Sequence, residues 1–219
     1  MFQQILFTQL KWTRTLLLSM AVFTFAVPML AWNVGGAGYN SRTIAPIAVM
    51  NGFATLSPFL VVSAWVLGFL LAALPWGADS QSRHVYALSL PISWQRYVSM
   101  RFSAGALTLL VPSLALWLGC LLVLAMIDVP ESLRAYPGTL ALRFLFGTLL
   151  AYSLSFLLQY VAGRRAAVTL LVLLVAVFGG FMLLSMTGNN YIADRIGNWF
   201  VEWPGPLSIF ANEWRLIDV

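Results

Sequence analysis

The sequence has few charged residues and few of the residue types that build catalytic or metal sites. Charged side chains make up 9% of the 219 residues and hydrophobic ones 61%, whereas soluble domains contain about 25% charged and about 45–50% apolar residues. There is a single cysteine, Cys120, which excludes an internal disulfide and a paired-cysteine metal or redox site. The composition excludes an ordinary soluble domain. Cys120 lies in an apolar run and is expected to be buried.

Motifs of nucleotide and hydrolytic chemistry are also missing. No stretch matches G-x-x-x-x-G-K-[ST], and the only lysine, Lys11, lies in no glycine-rich loop, so the sequence has no phosphate-binding loop. There is no H-E-x-x-H and no G-x-S-x-G. The only histidine, His84, has no metal or nucleophile partner and is expected to be a surface or contact residue. An enzyme is therefore not expected.

What the sequence has in abundance is long apolar runs. About 20 apolar residues cross a bilayer as a helix, and Pro28 is expected to kink the first such run. Residues 44–57 are expected to lie at the interface or to extend the second run. Only Gly163–Arg165 separates the last two runs, which predicts a tight turn between an antiparallel pair. The sequence therefore predicts an all-α integral membrane protein with a transmembrane domain over 15–187. Its five predicted crossings are about 15–32, 58–76, 102–127, 139–162 and 166–187.

The basic residues favour a cytoplasmic N-terminus. With that orientation the inner segments hold seven of the twelve basic residues and one acid, and the outer segments hold five basic residues and six acids. Lys and Arg are enriched in cytoplasmic loops. The net charge of +5 comes from scattered basic residues and indicates membrane topology, so no nucleic-acid partner is expected. Arg143, the only charge inside a predicted crossing, is expected to reach outward towards Asp128 or Glu131 as an anchor.

The first 14 residues predict an amphipathic helix along the inner leaflet. At 100° per residue, Gln9 and Thr13 interrupt its apolar side, and Lys11 and Arg14 lie on the polar side, facing anionic headgroups. The apolar side comprises Phe2, Ile5, Leu6, Leu10 and Trp12. A membrane anchor that leads into the first crossing and a partner-binding helix are both compatible with this pattern.

A polar segment, DSQSRHVYALSLPISWQRYVSMR at 79–101, separates the second and third crossings. Asp79 follows a break at 75–77 and predicts the N-cap of a helix over Ser80–Leu90. Pro91 ends that helix, because the residue before a proline disfavours helical geometry.

A second helix is predicted to start in the same segment and to continue into the third crossing. Ser93 is expected to cap it. The rings of Trp94 and Tyr97 are expected at the headgroup layer, with Arg96 and Arg101 reaching towards water. The segment is thus expected to be ordered, and it is longer than a chain reversal needs.

These residues resemble the first cytoplasmic loop of ABC-2 type transporter permeases. Residues 88–97, LSLPISWQRY, are similar to the family's LLSLPISR-x-x-Y style of sequence. Trp94 stands where arginine is common, and Arg101 stands where lysine often does. The apolar runs before and after the segment follow the family's order, so the resemblance covers most of the chain.

The resemblance implies the permease subunit of an ATP-binding cassette transporter in the bacterial inner membrane. Such a subunit pairs with a second copy or a homologous permease and with separate ATPase subunits that hold ATP and Mg²⁺. The helix after the second crossing is then the coupling helix that docks on the ATPase, helped by the N-terminal helix. The implied ATPase-coupling residues are Ser80, Gln81, Ser82, Arg83, His84, Tyr86 and Ser89 with Lys11 and Arg14, and the elbow and helix start are Pro91, Ser93 and Arg96.

The crossings predict a hydrophobic or amphipathic exported substrate. Their polar residues are mostly Ser and Thr, with one amide, Gln159, and most are expected to bond within or between helices. The rival interpretation is a non-transport scaffold or assembly subunit of a larger membrane complex, whose loop simply binds a partner.

Residues 188–219 depart from the family pattern. Trp199, Phe200 and Trp203 suit the outer interface, and the turn-forming residues 203–206 predict an extracytoplasmic or re-entrant segment. The resemblance implies a sixth crossing that this stretch does not contain. Truncation, a last helix supplied otherwise and a five-helix variant are the three explanations.

Overall fold

The computed structural model describes four stretches of the chain, and within them only helices occur. The stretches are residues 2–35, 44–81, 93–126 and 137–186. They form five helices, which are α1 (Phe2–Gly35), α2 (Ile44–Gln81), α3 (Trp94–Thr108), α4 (Leu110–Met126) and α5 (Pro137–Met186).

Three described helical stretches are long and apolar enough to cross a membrane, namely Phe2–Ala31, Trp94–Met126 and Pro137–Val161. A shorter apolar stretch, Phe59–Pro75, lies within α2. The prediction of an all-helical membrane protein is confirmed in this coarser form, and five separate spans are not shown.

α1 runs without interruption through the predicted N-terminal helix and the predicted first crossing. Its 34 residues correspond to about 51 Å at 1.5 Å per residue. Pro28 lies inside this helix. The first 14 residues therefore continue as one helix into the predicted first crossing.

α2 is also longer than predicted. Residues 44–57 extend it, which is one of the two outcomes expected from the sequence, and it continues through Pro75 to Gln81. The predicted break at 75–77 is therefore wrong, and Asp79 lies in the last turn of α2 instead of capping a new helix. Proline keeps a helical φ and removes one backbone donor, so a helix survives it where another group supplies the lost hydrogen bond.

Helices α3 and α4 meet at Leu109, whose backbone stays helical at φ −66° and ψ −18°. The N–H of Leu109 donates to the Ala106 carbonyl at 3.2 Å, a tighter 3₁₀-type bond. Pro112 lies three residues further on and has no N–H to offer the preceding turn. The hydrogen-bond ladder is thus interrupted, and together α3 and α4 form one candidate span.

α5 continues through Gly163, Arg164 and Arg165, so the predicted turn is not found. Arginine and the following alanines are good helix formers, a single glycine disfavours a helix by only about 1 kcal/mol, and no proline is present. The 50 residues of α5 extend about 75 Å, more than twice a hydrocarbon layer of about 30 Å. The fifth crossing over 166–187 stays a prediction.

Small residues set the closest approaches between helices. A β-carbon on Gly52 would collide with the backbone of Ala31, and one on Gly119 would lie 2.6 Å from the Phe25 carbonyl oxygen. Such contacts require glycine and are typical of membrane helix interfaces. With the bond between Gln9 and Leu71 described below, the Ala31 contact makes α1 antiparallel to α2. The cluster of Ile5 with α3 makes α1 parallel to α3 and α4.

The core of the bundle is continuous across α1, α2, α4 and α5. Its fully buried side chains include Phe53, Leu60, Leu67, Leu116 and Phe144. Cys120 is 0% exposed, which confirms the prediction that it is a small buried side chain.

Polar side chains in the spans bond within or between helices, as predicted. Interhelical bonds join Thr24 Oγ1 to the Pro112 carbonyl at 3.0 Å and Ser155 Oγ to the Phe69 carbonyl at 3.2 Å. Bonds to a carbonyl three or four residues earlier are made by Ser63, Thr108, Ser113 and Ser153.

Candidate functional site

The candidate site is the end of the bundle at which α2 finishes and α3 begins, called here the loop end. Gln81 and Ser93 bound the connecting residues 82–92. The start of α1 lies at the same end, because Ile5 is buried in one cluster with Tyr97 and Ala104 of α3. Phe2, Leu6, Val98 and Met100 pack around that cluster.

The predicted coupling residues and the predicted elbow and helix-start residues fall into three groups. Lys11 and Arg14 are exposed on α1, and Ser93 and Arg96 are exposed at the start of α3. Ser80 and Gln81 belong to the last turn of α2. Outside the described residues lie Ser82, Arg83, His84, Tyr86, Ser89 and Pro91. The described coupling residues therefore lie on the helices that flank residues 82–92, called here the coupling segment.

Ser93 occupies the predicted N-cap position of α3. Its backbone is extended at φ −65° and ψ 145°, and its carbonyl accepts the N–H of Tyr97 at 3.0 Å. Its hydroxyl makes no capping hydrogen bond. The helix start was thus correctly predicted, while the side-chain contribution expected from a serine cap is absent.

Tyr97 and Arg101 are buried, against the prediction that they reach the headgroup layer or water. Tyr97 is 1% exposed and Arg101 is 6% exposed. Arg101 Nη1 donates to the Tyr97 hydroxyl at 2.6 Å, and its guanidinium carbon lies 5.9 Å from the centre of the Tyr97 ring. A guanidinium needs such partners when it leaves water. Trp94, by contrast, is 37% exposed and stacks on Tyr97 with ring centres 5.7 Å apart.

The buried face of α1 at the loop end lies on the predicted apolar side and includes the two polar residues that interrupt it. Ile5, Gln9 and Thr13 are 4%, 3% and 0% exposed, whereas Phe7, which is not on that side, is 71% exposed. Leu10 and Trp12, at the edges of the predicted apolar side, are 37% and 39% exposed. The assignment of faces by apolar periodicity therefore agrees with the structure for this stretch. Apolar side chains such as Trp12 and Phe7 can face lipid as well as a protein core, because both surroundings are apolar. A polar side chain in a membrane needs a hydrogen-bond partner in the protein.

Gln9 finds that partner on α2. Its Nε2 donates to the Leu71 carbonyl at 3.3 Å. Within a helix the carbonyl of Leu71 would accept the N–H of residue 75, but residue 75 is proline and has no N–H. The Gln9 amide thus takes the place of a missing backbone donor. Reasoning from the sequence did not find this residue, although a glutamine on the apolar side of α1 was the available signal.

Aromatic and polar contacts connect α5 to the same half of the bundle. Phe102 of α3 lies 5.3 Å from Tyr152 and 5.4 Å from Phe156 between ring centres, and the Tyr152 hydroxyl donates to the Phe102 carbonyl at 3.2 Å. On the α2 side, Ser155 bonds Phe69 and Gln159 Nε2 donates to Ser155 Oγ at 3.0 Å. The helices flanking the coupling segment are therefore both attached to α5.

This arrangement suits transmission of a movement between helices. Residues 82–92 connect directly to α2 and α3, α1 contacts both of them, and α5 contacts both of them. Among the described residues, no group of three His, Cys, Asp or Glu side chains lies close enough to hold a metal ion.

Comparison with known proteins identifies the family. The family model described as ABC-2 family transporter protein matches residues 40–202, which is more than half of the chain. This range includes the segment 79–101, on which the resemblance was based. No curated protein and no solved structure matches the chain. The chain is a multi-pass membrane protein that belongs to the ABC-2 transporter family.

Proposed function

We propose that the chain is the membrane-spanning permease subunit of an ATP-driven exporter, moved by a separate ATPase that docks on residues 79–101. The observation that carries the proposal is the family match over 40–202, since permeases of this kind are transport components and not themselves catalytic. ATP and Mg²⁺ are bound in the partner. A second copy or a homologous permease completes the transporter.

The contacts at the loop end can transmit a displacement from the coupling segment to the helices. ATP-driven closure of two ATPase subunits displaces the coupling segment, and the displacement enters α2 at Gln81 and α3 at Trp94. The buried cluster around Ile5 and Tyr97 carries it to α1, and the contacts of Tyr152 and Ser155 carry it to α5. Packed helices shift as rigid bodies in such transitions. Lys11, Arg14 and Arg96, all exposed, supply cationic contacts at the same end.

The proposed cargo is hydrophobic or amphipathic. Most described polar side chains of the spans are bonded to carbonyls of their own or a neighbouring helix. The exposed faces are apolar and include Leu114, Trp117, Leu118 and Phe146. Such surfaces suit contact with lipid and with lipid-like molecules.

We further propose insertion in the bacterial inner membrane with the N-terminus in the cytoplasm. The proposed regions are an interfacial helix over 1–14, a transmembrane domain over 15–187 and an extracytoplasmic or re-entrant segment over 188–219. The excess of basic residues in the inner segments supports the orientation.

A topology reporter tests this proposal, including the fifth crossing. An alkaline phosphatase fusion after Asn190 is expected to be active, because five crossings place residue 190 outside the cytoplasm. The same fusion after Arg83 is expected to be inactive and a green fluorescent protein fusion there to fluoresce. A cytoplasmic position of residue 190 would show that α5 crosses once and would contradict the fifth crossing.

Purification in mild detergent tests the proposed function. The tagged protein is expected to bring down a P-loop ATPase whose Mg²⁺-ATP hydrolysis is inhibited by vanadate. The matched control replaces 82–90 by a Gly-Ser linker of equal length, and it is expected to insert normally and lose the ATPase. If the natural protein and the linker variant captured the same membrane proteins and no ATPase, this result would favour the scaffold interpretation.

A further inference from the structure

We propose that Gln9 is a positioning residue that latches α1 to a hinge in α2, formed where Pro75 leaves the Leu71 carbonyl without its helical donor. The stability part of this proposal concerns the permease alone, and its role in coupling rests on the proposed function. Neither Gln9 nor Pro75 belongs to the set of coupling residues indicated by the family resemblance.

The Leu71 carbonyl accepts a hydrogen bond from outside its own helix. Leu71 is 0% exposed, so its carbonyl lies where water does not substitute for a missing donor, and buried carbonyls are nearly always paired. Proline at residue 75 removes the helical donor. Gln9 Nε2, at 3.3 Å, supplies a donor from the neighbouring helix. Gln9 is itself 3% exposed, so both partners depend on this bond.

Gln9 is held in place from both sides along α1. One turn later, Thr13 Oγ1 donates to the Gln9 carbonyl at 2.8 Å, and Thr13 is 0% exposed. One turn earlier, Ile5 is buried against Tyr97 and Ala104 of α3. The amide therefore joins α2 to a part of α1 that is already packed on α3.

The Gln9 bond reaches α2 one turn before Pro75. A proline inside a helix removes a rung of the ladder and is a common site of bending. The stretch of α2 after Pro75 ends at Gln81, where residues 82–92 begin. A load on the coupling segment thus acts on the stretch beyond the weakened rung. The Gln9 bond holds the start of α1 to the part of α2 before Pro75, so the stretch after Pro75 moves relative to both.

A double-mutant cycle on the purified permease tests the latch. In the natural background, Gln9→Leu is expected to lower the thermal midpoint by roughly 2–8 °C, because the Leu71 carbonyl loses its donor. In the Pro75→Ala background, the introduced alanine supplies a backbone N–H to Leu71. Gln9→Leu is then expected to lower the midpoint by less than half as much, which a cycle detects as coupling.

Gln4→Leu is the matched control, since Gln4 is an exposed glutamine on the same helix and its loss is expected to leave the midpoint unchanged. An equal fall for Gln9→Leu in both backgrounds would overturn the latch. This readout needs no ATPase, so its failure is separate from a failure of the proposed function.

The hinge is tested by distances in the complex with the ATPase. Spin labels at Gln3→Cys and Leu74→Cys, both exposed positions, are placed in a Cys120→Ala background. A second pair of spin labels, at Gln3→Cys and Ser80→Cys, measures the distance from α1 to a position beyond Pro75. Mg²⁺-ATP with vanadate is expected to change the second distance more than the first, and Pro75→Ala is expected to reduce that difference. Equal changes in both pairs, with or without Pro75, would overturn the hinge.

Discussion

Gly68→Ala is expected to destabilise the protein by about 1–3 kcal/mol, the usual range for overpacking a closely packed interior. A β-carbon at Gly68 would lie 2.5 Å from the Thr148 carbonyl oxygen and 2.8 Å from the Tyr152 backbone nitrogen. Both atoms belong to the backbone of α5, so no side-chain rotation relieves the overlap. α2 and α5 must separate, and packing is lost along their contact. The thermal midpoint of the purified protein should fall by roughly 2–12 °C at about 2–4 °C per kcal/mol.

Gly138→Ala is the matched control for this prediction. A β-carbon at Gly138 meets no atom within 4 Å, and alanine is the better helix former by about 1 kcal/mol. Its midpoint is expected to stay level or to rise slightly. If the Gly68→Ala protein had the same thermal midpoint as the Gly138→Ala protein, α2 and α5 would not approach each other as closely as the structure has them.

Arg83→Ala and Tyr86→Ala are each expected to remove most of the stimulation of the partner ATPase by the permease. Both residues lie in the proposed docking segment, and Arg and Tyr are the residue types that most often dominate interface energies. Loss of one such contact weakens docking by about 2 kcal/mol or more, roughly 30-fold in affinity. The measurement is Mg²⁺-ATP hydrolysis by a fixed amount of ATPase titrated with reconstituted permease.

Arg134→Ala is the control, because Arg134 is predicted to lie on the opposite side of the membrane. It is expected to stimulate the ATPase like the natural protein, and all three variants are expected to insert in equal amounts. Full stimulation by Arg83→Ala and Tyr86→Ala would contradict the role of this segment in docking.

Local sequence did not predict correctly where the helices are interrupted. Proline chemistry predicted a kink at Pro28 and a break at 75–77, and the helices continue through both. The helix boundary at Leu109, three residues before Pro112, was not predicted. At Pro75 the Gln9 amide offsets the lost donor, and a partner 62 residues away in the chain leaves no trace in local propensity. The turn at 163–165 was predicted from two apolar runs, but nothing in those residues prevents a helix.

At the candidate site, the segment and the helix start at Ser93 were predictable from turn chemistry and from the resemblance. The buried partners were not. Arg101 looked like a residue that would reach towards water, but α3 begins at Trp94 and carries Arg101 into the bundle beside Tyr97. The depth of a residue along a helix depends on where neighbouring helices end, which a single stretch of sequence does not specify.

The sequence by itself determined the solvent, the helical class and the family, because apolar runs of bilayer length and a short loop motif are local properties of the chain. Only the tertiary structure decided which side of each membrane-crossing helix faces protein. Lipid and protein core are similarly apolar, so hydrophobic periodicity does not distinguish them in a bilayer. Paired polar groups and small residues do, as Gln9 against Leu71 and Gly68 against Thr148 show.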